Sequence, residues 1–240
     1  MVMKKPKIVV MDMGGTLLDS KNVNFELGVR YLYDHYCHHN ISYEELLEEY
    51  KLVCATCFKK RDHEDFELSF HHILNYIDKI IGFKNQVDYY QLEREFVDVT
   101  MPRKLVDDVE IFLREMKKQD IPVYVLSNSC FSSQELKHEL EEFKVLEYFK
   151  DVFSSGDYIM RKPSIVFYHL ITMMIKRNYP NVSLSDVWYI GNDYRCDIIG
   201  SSKAGLTSVW LNRLGQDNFE NLDIINVSDY QELIKRMENE

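Results

Sequence analysis

The sequence predicts an α/β protein: a doubly wound parallel sheet carrying an inserted all-helical unit. Three observations predict it. Short β-branched runs alternate with amphipathic helical patterns at both ends of the chain, the stretch between them has almost no such run, and 240 residues at 45% hydrophobic content suffice for one large core or two modest ones.

The elements follow in order. Lys7 to Met11 is a short apolar strand, stopped by Asp12 and followed by Gly14 and Gly15. After Pro102 the alternation resumes with a helix over Leu105 to Lys118 and a strand over Pro122 to Leu126. Ser132, with Glu135 three residues on, reads as a capping box opening the next helix. Further strands lie near Val152 to Phe153, Val187 to Ile190 and Ser208 to Leu211. Helices lie near Ser164 to Arg177, Arg195 to Lys203 and after Ser228. Strands separated by helices of this length pair in parallel through right-handed crossovers.

The middle stretch repeats apolar residues at helical spacing in Phe25 to Tyr36, Leu46 to Phe58 and Phe66 to Ile81, and Ser42 with Glu45 forms another capping box. Residues 20–101 are therefore expected to form a helical insertion, returning through Thr100-Met101-Pro102 to a core made of residues 1–19 and 102–240.

Composition narrows the function. With 29 basic and 39 acidic side chains, the formal net charge is -10, and no basic patch offsets it, so neither nucleic acid nor an anionic membrane is an expected partner. Five irregularly spaced cysteines read as free thiols of a reducing compartment. The apolar run Ile8 to Met11 is too short for a signal peptide and no segment reaches membrane-spanning length, so a cytoplasmic location is expected.

In an open parallel sheet, ligands bind beyond the carboxyl ends of the strands. Four such places carry chemistry: Asp12-Met13-Gly14-Gly15-Thr16-Leu17, Ser127-Asn128-Ser129, Arg161-Lys162-Pro163 before a helix, and Gly191-Asn192-Asp193-Tyr194-Arg195-Cys196-Asp197. Together they bring a carboxylate, a hydroxyl, an ammonium and two further carboxylates to one edge. Nucleophilic attack on a phosphorus held by a divalent cation needs these groups.

These four motifs, in this order, resemble the haloacid dehalogenase-like hydrolase superfamily over essentially the whole chain, and the insertion is similar to its first type of cap on a Rossmann-like core. The resemblance implies that Asp12 is the nucleophile, that Thr16 positions it by hydrogen bonding and that Gly15 permits the turn behind it. Ser127, Asn128, Gly15 and Lys162 would bind phosphoryl oxygens of a small phosphorylated substrate, with Arg161 a solvent-facing neighbour. Mg2+ would sit on Asp12, the Gly14 carbonyl and an acid of the last motif. Asn192 stands where the commonest pattern has an acid; a hard cation prefers the anionic Asp193, with Asn192 a weaker amide ligand. Asp197 would hold Lys162 or a metal-bound water. Homo-oligomerisation is left open.

Gly14 departs from the resemblance. Phosphatases of the superfamily carry a second Asp there, which protonates the leaving alcohol and activates water. Asp19, Asp62, His63 and Glu64 are the candidate substitutes. Three readings compete: a phosphohydrolase with a displaced acid or a good leaving group, a dehalogenase or phosphonate hydrolase, and a ligand-binding or regulatory protein that keeps the site. Other features have plainer readings. Cys54 and Cys57 fit small core thiols, and the histidine pairs His38-His39 and His71-His72 fit partly exposed residues of the insertion.

Overall fold

The computed structural model describes residues 4–37, 40–84, 87–218 and 220–238, and of Asp62 and His63 only the backbone. Six strands form one parallel sheet: β1 (Ile8–Met11), β4 (Val123–Ser127), β5 (Phe149–Ser154), β6 (Val187–Gly191), β7 (Thr207–Leu211) and β8 (Ile225–Val227), in the order β5-β4-β1-β6-β7-β8. The chain builds outward from β1 through β4 to β5, then recrosses to β6 on the other side of β1. The strand order thus reverses at β1, the position at whose carboxyl end open parallel sheets bind ligands.

The side-chain period of two divides the sheet between two cores. Val9, Met11, Val123, Val125, Trp188 and Ile190 face one side, against α5 (Val109–Lys118), α6 (Ser133–Glu142) and α9 (Tyr230–Glu238). Ile8, Val10, Tyr124, Leu126, Val187 and Tyr189 face the other, against α7 (Ile165–Asn178), which supplies Phe167, Tyr168, Ile171 and Ile175. Covered on both faces, the central strands are buried along their whole length, as an all-parallel sheet requires.

Between β1 and β4 the chain rises through an antiparallel pair, β2 (Leu18–Ser20) and β3 (Arg103–Leu105), in the register Leu18 to Leu105 and Ser20 to Arg103. Above this stem stand α1 (Phe25–Tyr36), α2 (Tyr43–Glu64), α3 (Phe70–Ile81) and α4 (Tyr89–Thr100). They enclose a core of their own, with Val29, Leu32, Phe70, Ile73, Leu74, Ile77, Leu92 and Phe96 at its centre and Phe131 entering from below.

Local chemistry explains the ends of these helices. Ser42 and Glu45 make the full reciprocal cap of α2. Ser132 caps α6 by accepting from Glu135 N, but its own N–H goes to Glu93 of α4, so the second half of that box is supplied by the insert. The helix expected from Leu105 starts at Val109, because Leu105 is paired with Leu18 and Asp108 takes a left-handed conformation, with φ of 62°. The helix expected from Phe66 starts at Phe70, capped by Ser69, because Phe66 bridges to Met160. The helix expected over Arg195 to Lys203 is a wide π-helical turn, Tyr194–Ile199, continuing into α8 (Gly200–Lys203). His38 and His39 lie outside the described residues. Among the described residues, no helix is long and apolar enough to cross a membrane.

Candidate active site

Asp12 follows β1 directly, its N–H still donated to the Ile190 carbonyl of β6 at 2.9 Å, and its side chain is buried at the reversal of strand order. The Lys162 ammonium, 2% exposed, donates to Asp12 Oδ1 at 2.6 Å, Asp197 Oδ1 at 2.7 Å and Tyr189 Oη at 2.7 Å. Its three protons are thereby used, and it cannot rotate away without leaving a buried charge unpaired. Tyr189 Oη lies 3.0 Å from the Leu126 carbonyl and 3.2 Å from Asp197 Oδ1, with one proton for either acceptor.

Two buried carboxylates against one ammonium leave an excess negative charge. Burial first, and the charge of Asp197 after it, raise the Asp12 carboxyl to about 6 against the downward pull of Lys162. Burial alone would lower the Lys162 ammonium, but the charges of Asp12 and Asp197 outweigh it and hold the group above the usual lysine range. Asp12 is therefore a carboxylate at neutral pH with unsatisfied appetite for positive charge.

The supporting contacts fix these groups. Asn128 clamps Lys162 through its main chain: its amide N donates to the Lys162 carbonyl at 2.9 Å and its amide O accepts the Lys162 N–H at 2.8 Å. Both ends of an amide expected to meet a phosphoryl group thus hold the lysine. Ser127 ends β4 beside it and is buried. Asp197 Oδ2 accepts the N–H groups of Asn192 at 3.1 Å and Asp193 at 2.9 Å, so one carboxylate locks both the lysine and the acidic loop. A Cβ on Gly191 would stand 2.4 Å from Asp197, so the strand reaches this loop only as glycine. Thr16 donates to Asn192 Oδ1 at 3.1 Å, and Gly15, at φ of 73°, leaves the space in which that amide lies. Asp193 is exposed, and its Oδ1 caps the following turn by accepting Cys196 N at 2.6 Å.

Asp12, the Gly14 carbonyl, Asn192 and Asp193 offer oxygen donors only, with Asn192 Oδ1 held by Thr16 and Asp193 Oδ1 by Cys196 N. Oxygen donors beside surplus negative charge suit Mg2+.

The model of the family described as haloacid dehalogenase-like hydrolase matches residues 9–211. The chain belongs to this family. No curated protein sequence matches it. Solved structures share the fold of this haloacid dehalogenase-like hydrolase along nearly its full length. A 2-haloacid dehalogenase of Pseudomonas syringae matches at TM-score 0.65 and 17% identity, with 99% of each chain covered. A phosphatase of the same superfamily from Thermococcus onnurineus matches at 0.61 and 18%, covering 96% of this chain and 97% of its own. A superfamily hydrolase of Bacillus subtilis, solved with bound magnesium, matches at 0.60 and 20%, covering 97% and 98%.

Of the candidate substitutes for an acid at position 14, Asp19 is spoken for. Arg213 grips it through both oxygens at 2.8 and 2.9 Å, and this hydrogen-bonded guanidinium holds its carboxyl below the ordinary range. Glu64 is exposed at the end of α2, and the side chains of Asp62 and His63 lie outside the described residues. Around Gly14 itself, a Cβ would meet nothing within 4 Å.

Two features of this hydrolase escaped sequence reasoning. Tyr189 sits in an apolar strand that reads as core, and its only signal is a polar tip in a dry run. The second is a latch from the helical insert. The loop after α2 lays Phe66 against Met160, accepts Arg161 N on the Asp65 carbonyl at 3.0 Å, and donates Glu67 N to the Ile159 carbonyl at 2.8 Å. Arg161, expected to face solvent, is instead largely buried, 3.6 Å from the enclosed Glu67 carboxylate, because the insert covers it. The latch ends one residue before Lys162.

Proposed function

We propose that the protein is a Mg2+-dependent phosphohydrolase of a small phosphorylated molecule, acting through an aspartyl-phosphate on Asp12. The observation that carries this reading is the buried contact of Asp12 with Lys162, itself pinned by Asp197 and Asn128. It holds an ionised carboxylate at the carboxyl end of β1 beside a fixed positive charge.

An Asp12 oxygen attacks phosphorus in line, the bond from phosphorus to the leaving oxygen breaks, and that oxygen departs with its electron pair. Lys162 offsets charge on the transferred group, and Ser127 with neighbouring main-chain N–H groups binds its oxygens. Water then attacks the phosphorus of the aspartyl-phosphate and releases Asp12 as carboxylate. Mg2+, when bound by Asp12, the Gly14 carbonyl and Asp193 or Asn192, supplies positive charge to the phosphoryl oxygens.

General acid and base catalysis is worth about 10² to 10⁴ in rate. Without a side chain at Gly14, and with Asp19 held ionised by Arg213, this enzyme favours substrates whose leaving group needs no proton. Its second step is also unassisted, so the aspartyl-phosphate accumulates. The latch and helical cap select small molecules over polymers. In this reading nucleic acid and membrane are not partners and the enzyme works in the cytoplasm.

Hydrolysis of an activated aryl phosphate with and without Mg2+, with Asp12→Asn as control, tests the proposal. Metal-dependent turnover lost in the variant supports it. The open space at Gly14 equally suits a halide, which leaves without a proton. Metal-independent halide release from a short haloacid, without phosphatase turnover, replaces the proposal with dehalogenation.

A further inference from the structure

Away from the Asp12 centre, α4 of the insert packs on α6 of the core. Asp98 lies in the last turn of α4 and Glu142 closes α6, with His138 one turn before it on the same face. One carboxylate oxygen of Asp98, one of Glu142 and an imidazole nitrogen of His138 all lie within 4.8 Å of one another. Ligand atoms held at about 2.1 Å by one ion stand at most about 4.2 Å apart, so small rotations of these side chains close the set.

Negative charge gathers here, at two exposed carboxylates and a half-buried imidazole. Helix carboxyl ends carry partial negative charge, and neither helix has a basic residue in its last turn. Two negative helix ends and two carboxylates therefore meet. Of the nearby cations, Lys137 pairs with Asp151 at 2.8 Å and Arg103 with Glu139 at 2.7 Å, while His138 stands 3.6 Å from Glu142 and Arg94 acts on Asp98 from one turn earlier on α4. On the same helix, the buried oxygens Glu139 Oε2 and Glu135 Oε1 have no hydrogen-bond partner among the described residues. A polar cleft of about 470 Å³, lined by Arg94, Ser133, Gln134, Lys137, His138 and Glu141, gives access from solvent.

We propose that Asp98, His138 and Glu142 bind a divalent transition-metal ion of the zinc class, which ties the helical insert to the α/β core. One imidazole and two carboxylates suit zinc, whereas magnesium prefers oxygen donors alone, so the site is chemically distinct from the Asp12 centre. The ion joins the same two helices that Glu93 and Ser132 link. It stiffens the joint between insert and core.

Calorimetric titration of Zn2+ into the full chain, with Mg2+ present and thiols kept reduced, tests this. One zinc bound per chain, with a saturable rise in unfolding temperature, is expected. Asp98→Asn, His138→Gln and Glu142→Gln each weaken binding on the order of tenfold or more, with circular dichroism unchanged. The wild-type titration alone overturns the proposal if no saturable binding appears. Binding that survives Asp98→Asn, or that disappears with Cys54→Ser or Cys57→Ser instead, also overturns it. Zinc is counted without turnover, so failure here leaves the phosphohydrolase reading intact.

Discussion

Gly14→Asp is expected to convert a slow, leaving-group-limited enzyme into a faster one on alkyl phosphates. The structure sets the terms. A Cβ at Gly14 meets nothing within 4 Å and the residue is not in the left-handed region, so the substitution brings neither clash nor strain. Replacing a glycine whose conformation suits other residues stabilises by about 0.4–1 kcal/mol through the unfolded chain. The charge of Asp12 would push the new acid above the ordinary carboxylate range, towards donating a proton at neutral pH. Full general-acid action is worth about 3–5 kcal/mol of barrier, and an imperfectly placed group about a third of that, roughly 5- to 18-fold in rate. The assay compares kcat for an alkyl and an activated aryl phosphate, with the pre-steady-state burst recorded for each. The alkyl rate should rise at least several-fold, the aryl rate less, and the wild-type burst of aryl product should shrink. A folded variant with an unchanged alkyl to aryl ratio and an unchanged burst would refute the reasoning.

Three further outcomes follow from the same geometry. Asp197→Asn leaves Lys162 paired with Asp12 but turns an acceptor into an amide that faces N–H donors, and should destabilise by about 1–3 kcal/mol; because the lost charge raises the Asp12 carboxyl, the acidic limb of the pH–rate profile should also move to lower pH. Asn128→Ala loses two hydrogen bonds to the Lys162 main chain and should cost about 1–3 kcal/mol in thermal unfolding, with kcat reduced more than KM is raised. Glu135 is pushed up to about 8, chiefly by burial and then by the charges of Glu139 and Glu93. A carboxyl raised in the folded state contributes stability below its unfolded value, and that stability is lost as pH rises through the folded one. Glu135→Gln should therefore raise the melting temperature at pH 9 and have little effect or lower it at pH 4.

What could be read in the sequence followed from where each interaction lies along the chain. β1, β4 and β6 announce themselves as apolar runs that stop at chemistry, which is why Asp12, Ser127 and Asp197 could be named together, with Lys162 marked by the proline that follows it before α7. β2 and β3 could not, since three-residue strands carry no period and form only when the two ends of the insert meet. α4 did show a signal, with Leu92, Phe96 and Thr100 at intervals of four, but polar neighbours diluted it. The clamp of Asn128 on Lys162 spans 34 residues and the latch over Arg161 about a hundred, so composition near either residue says nothing of its partner. Asn128 and Arg161 were therefore assigned the usual fates of an amide after a strand and a charge before a helix. Tertiary contact gave them others.

Acid-quenching the wild-type protein during turnover of an activated aryl phosphate, followed by peptide mass analysis, tests the central claim most directly. The account predicts one phosphoryl group on the peptide carrying Asp12 and none in Asp12→Asn. Turnover with the label on another residue, or Asp12→Asn turning over at the wild-type rate, contradicts it.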